Sequence, residues 1–174
     1  MTRPILPALS RWLLSAEIGG VLLGVASCAQ VPPTSATAIP QLSAQQARVW
    51  FYRDLNPNEP MATPYVRIDG ALAGVSRPGG ASYRDVAPGR HQISVDSYVD
   101  DANQTRIVDL APGAQVYAKV VPLDNFVEGG GEFSDGYHRD TFYLWLYPAE
   151  QARPVIAQSW FYGGGTLTAA VPPR

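Results

Sequence analysis

Tyr65-Val-Arg-Ile-Asp-Gly-Ala-Leu-Ala-Gly-Val-Ser76, then Pro78-Gly-Gly80, then Tyr83-Arg-Asp-Val-Ala-Pro-Gly-Arg-His-Gln-Ile-Ser-Val95 is the stretch that decides the fold class. Apolar residues alternate along each run, and each run ends in a dipeptide that turns the chain: Asp69-Gly70, Gly79-Gly80, Pro88-Gly89. Period-two alternation between such breakers predicts an antiparallel β-meander. Val66 and Ile68 point inward here, with Tyr65 and Arg67 outward; Ile93 and Val95 point inward, with Gln92, Ser94 and Asp96 outward. The stretch builds a scaffold and holds no reaction centre.

The same pattern continues on both sides. Strands are expected at 47–53, 65–69, 71–76, 82–86, 90–99, 104–110, 115–121 and 141–147. Val49 and Phe51 share one face of the first, Trp50 and Tyr52 the other. Pro148 to Arg153 reads as a short helix that Pro154 shortens or kinks. The expectation is all-β, an antiparallel β-sandwich of about seven to eight strands with a short C-terminal helix. A hydrophobic fraction of 46 % supplies a core, and 16 Gly with 16 Pro supply its turns. The domain is placed at residues 47–162, long enough for one core and too short for two. Residues 163–174 are read as a flexible tail.

Charge excludes one class of partner. The net charge is −2 and Lys119 is the single lysine, so no basic patch is expected for nucleic acid. The lone cysteine excludes a disulfide framework and the thiolate set of a structural zinc site.

The amino terminus reads as an address. Arg3 and Arg11 precede an apolar run from Trp12 to Val25. Glu17 leaves too few uninterrupted apolar residues for the ~20 of a spanning helix. Val25-Ala26-Ser27-Cys28 follows. The basic start and apolar centre match a secretory signal peptide, and the small residues before Cys28 resemble the lipobox of bacterial lipoproteins. The resemblance implies cleavage after residues 1–27, lipid on the Cys28 thiol and acylation, such as palmitate, on the new terminus. Ala29 implies, by the sorting rule of that family, the outer membrane facing the periplasm. Residues 28–46, rich in Pro, Ala, Thr and Gln, are read as the lipidated cysteine and a flexible tether.

The order Ala47-Arg-Val-Trp-Phe-Tyr-Arg53, Val66-x-Ile-Asp-Gly70, Val86-x-Pro-Gly89-x-His91-x-Ile93 and Leu110-x-Pro-Gly113-x-x-Val116-Tyr117 resembles an uncharacterised family of bacterial lipoproteins of the domain-of-unknown-function type. Its middle section resembles the PEGA-type β-sandwich module. The resemblance implies a sandwich on a lipid anchor and assigns no catalytic residue.

Three groups of residues are candidates for chemistry. His91, after Pro88-Gly89, reads as a strand-edge histidine bonding a turn carbonyl. Asp124, Glu128, Glu132, Asp135, His138 and Asp140 line a glycine-rich loop, 124–140. No metal-loop spacing appears there, so no metal and no cofactor are expected; paired carboxylates would suit glycan hydrolysis. Trp50, Tyr52, Tyr143, Trp145 and Tyr147 are the candidate binding surface. Either the 148–158 helix or the chain's tail covers them, or they form a platform for a glycan or protein partner. The leading expectation is a non-enzymatic, membrane-anchored envelope lipoprotein that acts by binding or assembly. The alternatives are a hydrolase of envelope glycans acting through the 124–140 loop and an accessory subunit of an envelope protein complex.

Overall fold

A computed structural model describes residues 30–97, 102–127 and 137–167. Cys28 and the leader therefore lie outside the described residues. Among the described residues nine strands form two stacked sheets: β1 Ala47–Tyr52, β2 Tyr65–Ile68, β3 Ala71–Val75, β4 Gly80–Val86, β5 Gly89–Val95, β6 Thr105–Leu110, β7 Gln115–Val127, β8 Tyr137–Tyr147 and β9 Trp160–Phe161. One α-helix among the described residues, α1 Ala149–Gln158, precedes β9. The larger sheet has the order β8-β7-β1-β4-β9 and the smaller β3-β2-β5-β6. The fold is a β-sandwich with one short C-terminal helix.

The deciding stretch behaves differently from a meander. β2 pairs with β3 across the Asp69-Gly70 turn, and β2 then pairs with β5. β4, between them in sequence, crosses to the other sheet and pairs with β1. Burial explains the crossing. β2 and β5 each bury one face, whereas β4 buries Ala81, Tyr83 and Asp85 on one face and Ser82 and Val86 on the other. A strand buried on both faces belongs in a covered sheet. The stretch therefore stitches the two sheets together. The larger sheet is also mixed: β1 runs parallel to β7, and β4 parallel to β9.

The inter-sheet core contains Val49, Phe51, Val66, Ile68, Ile93, Val95, Val120, Phe142 and Leu144. Fully burying one such side chain contributes ~1.5–3 kcal/mol. β3 lies against β4, and a Cβ on Gly74 would sit 3.6 Å from Ser82 Oγ; β5 and β6 lie against β8. The sandwich thus has one margin at β9 and β3 and another at β8 and β6.

Two boundaries move outward. Part of the tether is docked: Thr34 donates from N–H and Oγ1 to the carbonyl of Ser159, at 2.8 and 2.9 Å, and Phe161 N–H donates to Pro32 at 2.9 Å. Thr34 is buried, and Ile39 packs on the cluster beneath α1. The tail continues along β4, where Asp85 N–H donates to Gly165 and Leu167 N–H to Asp85. Its glycines serve close approach. A Cβ on Gly164 would lie 1.9 Å from the Tyr83 ring. Gly164→Ala is expected to lift residues 163–167 and lower stability by ~1–3 kcal/mol; limited proteolysis of the segment, beside a urea titration, checks it.

Pro154 sits inside α1, although an interior proline costs ~3 kcal/mol. Its neighbours explain the tolerance. Glu150, which would have received its hydrogen bond, faces water, while Ala152 and Ile156 anchor the opposite face. Packing overrides the breaker here.

Candidate functional site on the outer face of the larger sheet

Side chains alternate along β1, so Trp50 and Tyr52 leave the inter-sheet core for the outer face. There they meet Ala81, Tyr83 and Tyr117 beneath Ala152 and Ile156 of α1. Both are buried. Trp50 Nε1 donates to Gln115 Oε1 at 3.0 Å, and its ring lies 5.1 Å from that of Tyr83. Burial, then the charge of Asp54 and the Tyr147 hydroxyl, push the Tyr52 phenol well above its ordinary value. Trp50 and Tyr52 thus leave the candidate binding surface, because the helix takes their face.

β8 carries the remainder past the helix. Tyr147 is half-buried, edge-on to Tyr52 at 6.4 Å, with Lys119 Nζ 5.3 Å from its ring. Lys119 donates to Asp54 Oδ2 at 2.6 Å. Tyr143 is half-buried as well. Trp145 is 47 % exposed, and the Arg106 guanidinium lies 5.2 Å from its ring. Leu146, on the opposite face of β8, and Leu123 on β7 are also exposed. The aromatic surface that remains is small and centred on Trp145, at the margin formed by β8 and β6.

Comparison with protein-family models, with curated proteins and with solved structures returned no match. The site is therefore read from its own chemistry.

Both ends of the loop read at 124–140 are ribbon. β7 and β8 pair through Val127 and Tyr137, so only 128–136, with Glu128, Glu132 and Asp135, lie outside the described residues. The register sets Asp124 opposite Asp140 and Phe126 opposite His138. No group of three or more metal-ligating side chains occurs among the described residues.

His91 is a clasp between turns, as its position after Pro88-Gly89 suggests. Nδ1 is 2.6 Å from Asp69 Oδ2, and Nε2 is 2.8 Å from the Ala87 carbonyl. Both neighbours are acceptors, so only the imidazolium satisfies both. Asp69, at φ 51°, also accepts from Gln92 N–H at 2.8 Å. Burial alone would lower the His91 pKa, but its bonds to Asp69 and Ala87 and the Asp69 charge outweigh it and raise it. Burial likewise opposes the Asp69 carboxylate, and the bonds from Gln92 and His91 outweigh it and hold its pKa low. The pH consequence follows by linkage. The histidine contribution is complete below its unfolded value of ~6.5 and is lost as pH rises through the higher folded value. The aspartate contribution is present above its unfolded value and is lost as pH falls through the lower folded one. Thermal midpoints are expected to fall as pH rises above ~6.5 in the wild type, and less so in His91→Gln. Equal slopes in the two proteins contradict the clasp.

Three more apolar side chains surround a second surface. An open cleft of about 570 Å³ lies between the end of α1, the Asp54-Leu55 segment and β9. Leu55, Val155 and Trp160 line it, with Asp54 in its wall. Sequence reading passed over these residues because no pattern connects positions 55, 155 and 160. Only the tertiary fold does.

Proposed function

We propose that the chain is a membrane-anchored envelope lipoprotein whose β-sandwich acts by binding or assembly and performs no catalysis. The observation that carries this reading is the docked segment from Pro32 to Thr34. Cys28 stands four positions before Pro32, so extended chain places the lipid within roughly 14 Å of the domain. A free tether from Cys28 to Ala47 would reach up to ~65 Å. The short connection suits a module held against its membrane and presenting one margin to a partner. Trp145, with Tyr143, Tyr147 and Arg106, lies at the margin opposite the docked segment. An exposed aromatic ring beside a guanidinium suits an envelope protein or a glycan. The resemblance to uncharacterised lipoproteins and PEGA-type modules agrees with this reading and adds no residue role to it.

The test is in-cell photocrosslinking from position 145, with Gln151 on the exposed side of α1 as control. Capture of a discrete protein or glycan from 145 alone, by a chain whose mass shows lipid on Cys28, is the expected result. Equal capture from both positions, or an unmodified Cys28, sinks the reading.

A second reading rests on the register that sets Asp124 opposite Asp140. Acidic residues at cross-strand register positions suit glycan hydrolysis. Asp140→Asn would abolish turnover of peptidoglycan fragments in a hydrolase and leave partner capture unchanged in a binding module.

A further inference from the structure

We infer that the β9 margin of the sandwich, with Leu55, Val155, Trp160 and Tyr162, rests on the lipid bilayer. The inference deepens the proposed function and rests on lipidation at Cys28.

The docked segment fixes which side of the domain the anchor leaves. Pro33 bridges antiparallel to Trp160, and Phe161 N–H donates to the carbonyl of Pro32. The chain towards Cys28 therefore departs along the outer edge of β9. With reach of roughly 14 Å from Pro32, the lipidated residue cannot sit in the bilayer unless this margin lies close to it. The β8 strand is four strand spacings away in the same sheet, about 19 Å at ~4.8 Å each. Trp145 and Ile107 at the far margin are thus held off the surface.

The chemistry of the β9 margin matches an interface between water and lipid. Leu55 is 58 % exposed and Trp160 40 %. They adjoin: a Cβ on Gly79 would lie 2.9 Å from the Trp160 ring and 3.0 Å from Leu55 Cβ. Tyr162 lies over Gly80, with the Arg77 guanidinium 5.0 Å from its ring. Val155 lines the same cleft, and Val31 is exposed on the departing chain. Tryptophan and tyrosine favour the headgroup level, where a flat apolar ring and a polar tip are both satisfied. An exposed arginine beside them suits lipid phosphate. The one carboxylate in the cleft wall, Asp54, is paired with Lys119 at 2.6 Å, which offsets its charge. Apolar area on this margin adds to the lipid chains as a second attachment, as peripheral membrane proteins require for firm binding.

The test uses the full chain, processed in Gram-negative cells and purified with its lipid. Because lipid occupies Cys28, a single introduced cysteine is the sole free thiol. Leu55→Cys and Val155→Cys carry an environment-sensitive fluorophore, with Ile107→Cys on the far margin as control. The proteins are placed in phosphatidylethanolamine and phosphatidylglycerol vesicles whose acyl chains are brominated near the headgroup. Loss of fluorescence at 55 and 155, with none at 107, is expected. No loss at 55 and 155 in a chain whose mass shows the Cys28 lipid overturns the inference and leaves the anchoring reading standing. An unmodified Cys28 overturns both. Lipid-free protection of position 55 by a crosslinked protein in cells also overturns it, in favour of a protein partner.

Discussion

Asp85→Ala is expected to remove ~3–5 kcal/mol of unfolding free energy, because it strands a buried guanidinium. Arg48 and Asp85 are cross-strand partners in the β1–β4 ladder. Nε of Arg48 donates to Oδ1 at 2.6 Å and Nη2 to Oδ2 at 2.9 Å, and the two side chains are 4 % and 11 % exposed. The guanidinium also stacks 3.9 Å over the Tyr83 ring. The bond to Asp85 holds the Arg48 pKa above its ordinary value despite burial. Domain stability is ~5–15 kcal/mol in total, so the variant unfolds at markedly lower urea. The double variant Arg48→Met with Asp85→Leu is expected to recover most of the loss, since two apolar side chains leave no unpaired charge. A change below ~1 kcal/mol in Asp85→Ala would mean that water reaches the pair, as at a surface salt bridge.

Arg53→Met is expected to cost ~2–6 kcal/mol, through the 54–64 loop, because two carbonyls lose their donor. Arg53 is 1 % exposed, the largest fully buried side chain among the described residues. Nη1 donates to the Ala62 carbonyl at 2.7 Å, Nη2 donates to that of Pro60, and the guanidinium lies 5.4 Å from the Phe142 ring. Burial lowers its pKa, while Glu59 and Asp140 pull the other way. Methionine fills part of the volume and abandons two carbonyls and a neighbouring carboxylate. Arg53→Lys is expected to rescue little, because an ammonium cannot span both carbonyls as the planar fork does. Urea titration reads the loss, and proteolysis at 54–64 shows where the chain opens. Unchanged stability in Arg53→Met would contradict the clamp.

The strands of the smaller sheet were legible where one face is buried with period two, as in β2 and β5. Val66 and Ile68, or Ile93 and Val95, carry that signal in the chain itself. Sheet membership was not legible. Gly79-Gly80 marks a turn but not the sheet that receives β4, and the relevant cue is weaker: Ala81 and Tyr83 stand where β2 and β5 place polar residues. The parallel pairing of β1 with β7 joins residues over sixty positions apart, beyond any local pattern.

The site shows the same division. Trp145 could be assigned to the outer face from alternation along β8 alone. Whether α1 reached it depended on where the helix lies, and it covers Trp50 and Tyr52 instead. Composition misled at both ends. Pro32-Pro33-Thr34 and Gly163-Gly164-Gly165 look like linkers, yet the first contributes edge hydrogen bonds and the second lets backbone pass over the Tyr83 ring. Arg48 and Asp85, 37 positions apart, gave no sign of pairing until β4 was placed beside β1.

The docked amino-terminal segment is central, since Pro32 and Thr34 are hydrogen-bonded to Phe161 and Ser159 where composition reads as linker. Amide hydrogen exchange at Thr34 and Phe161, read on the full chain, tests it most directly. Protection at both amides comparable to that of β1, lowered in Thr34→Val by loss of the Oγ1 bond to Ser159, is the expected result. Exchange of Thr34 at the rate of an unstructured peptide, with β1 still protected, would contradict it.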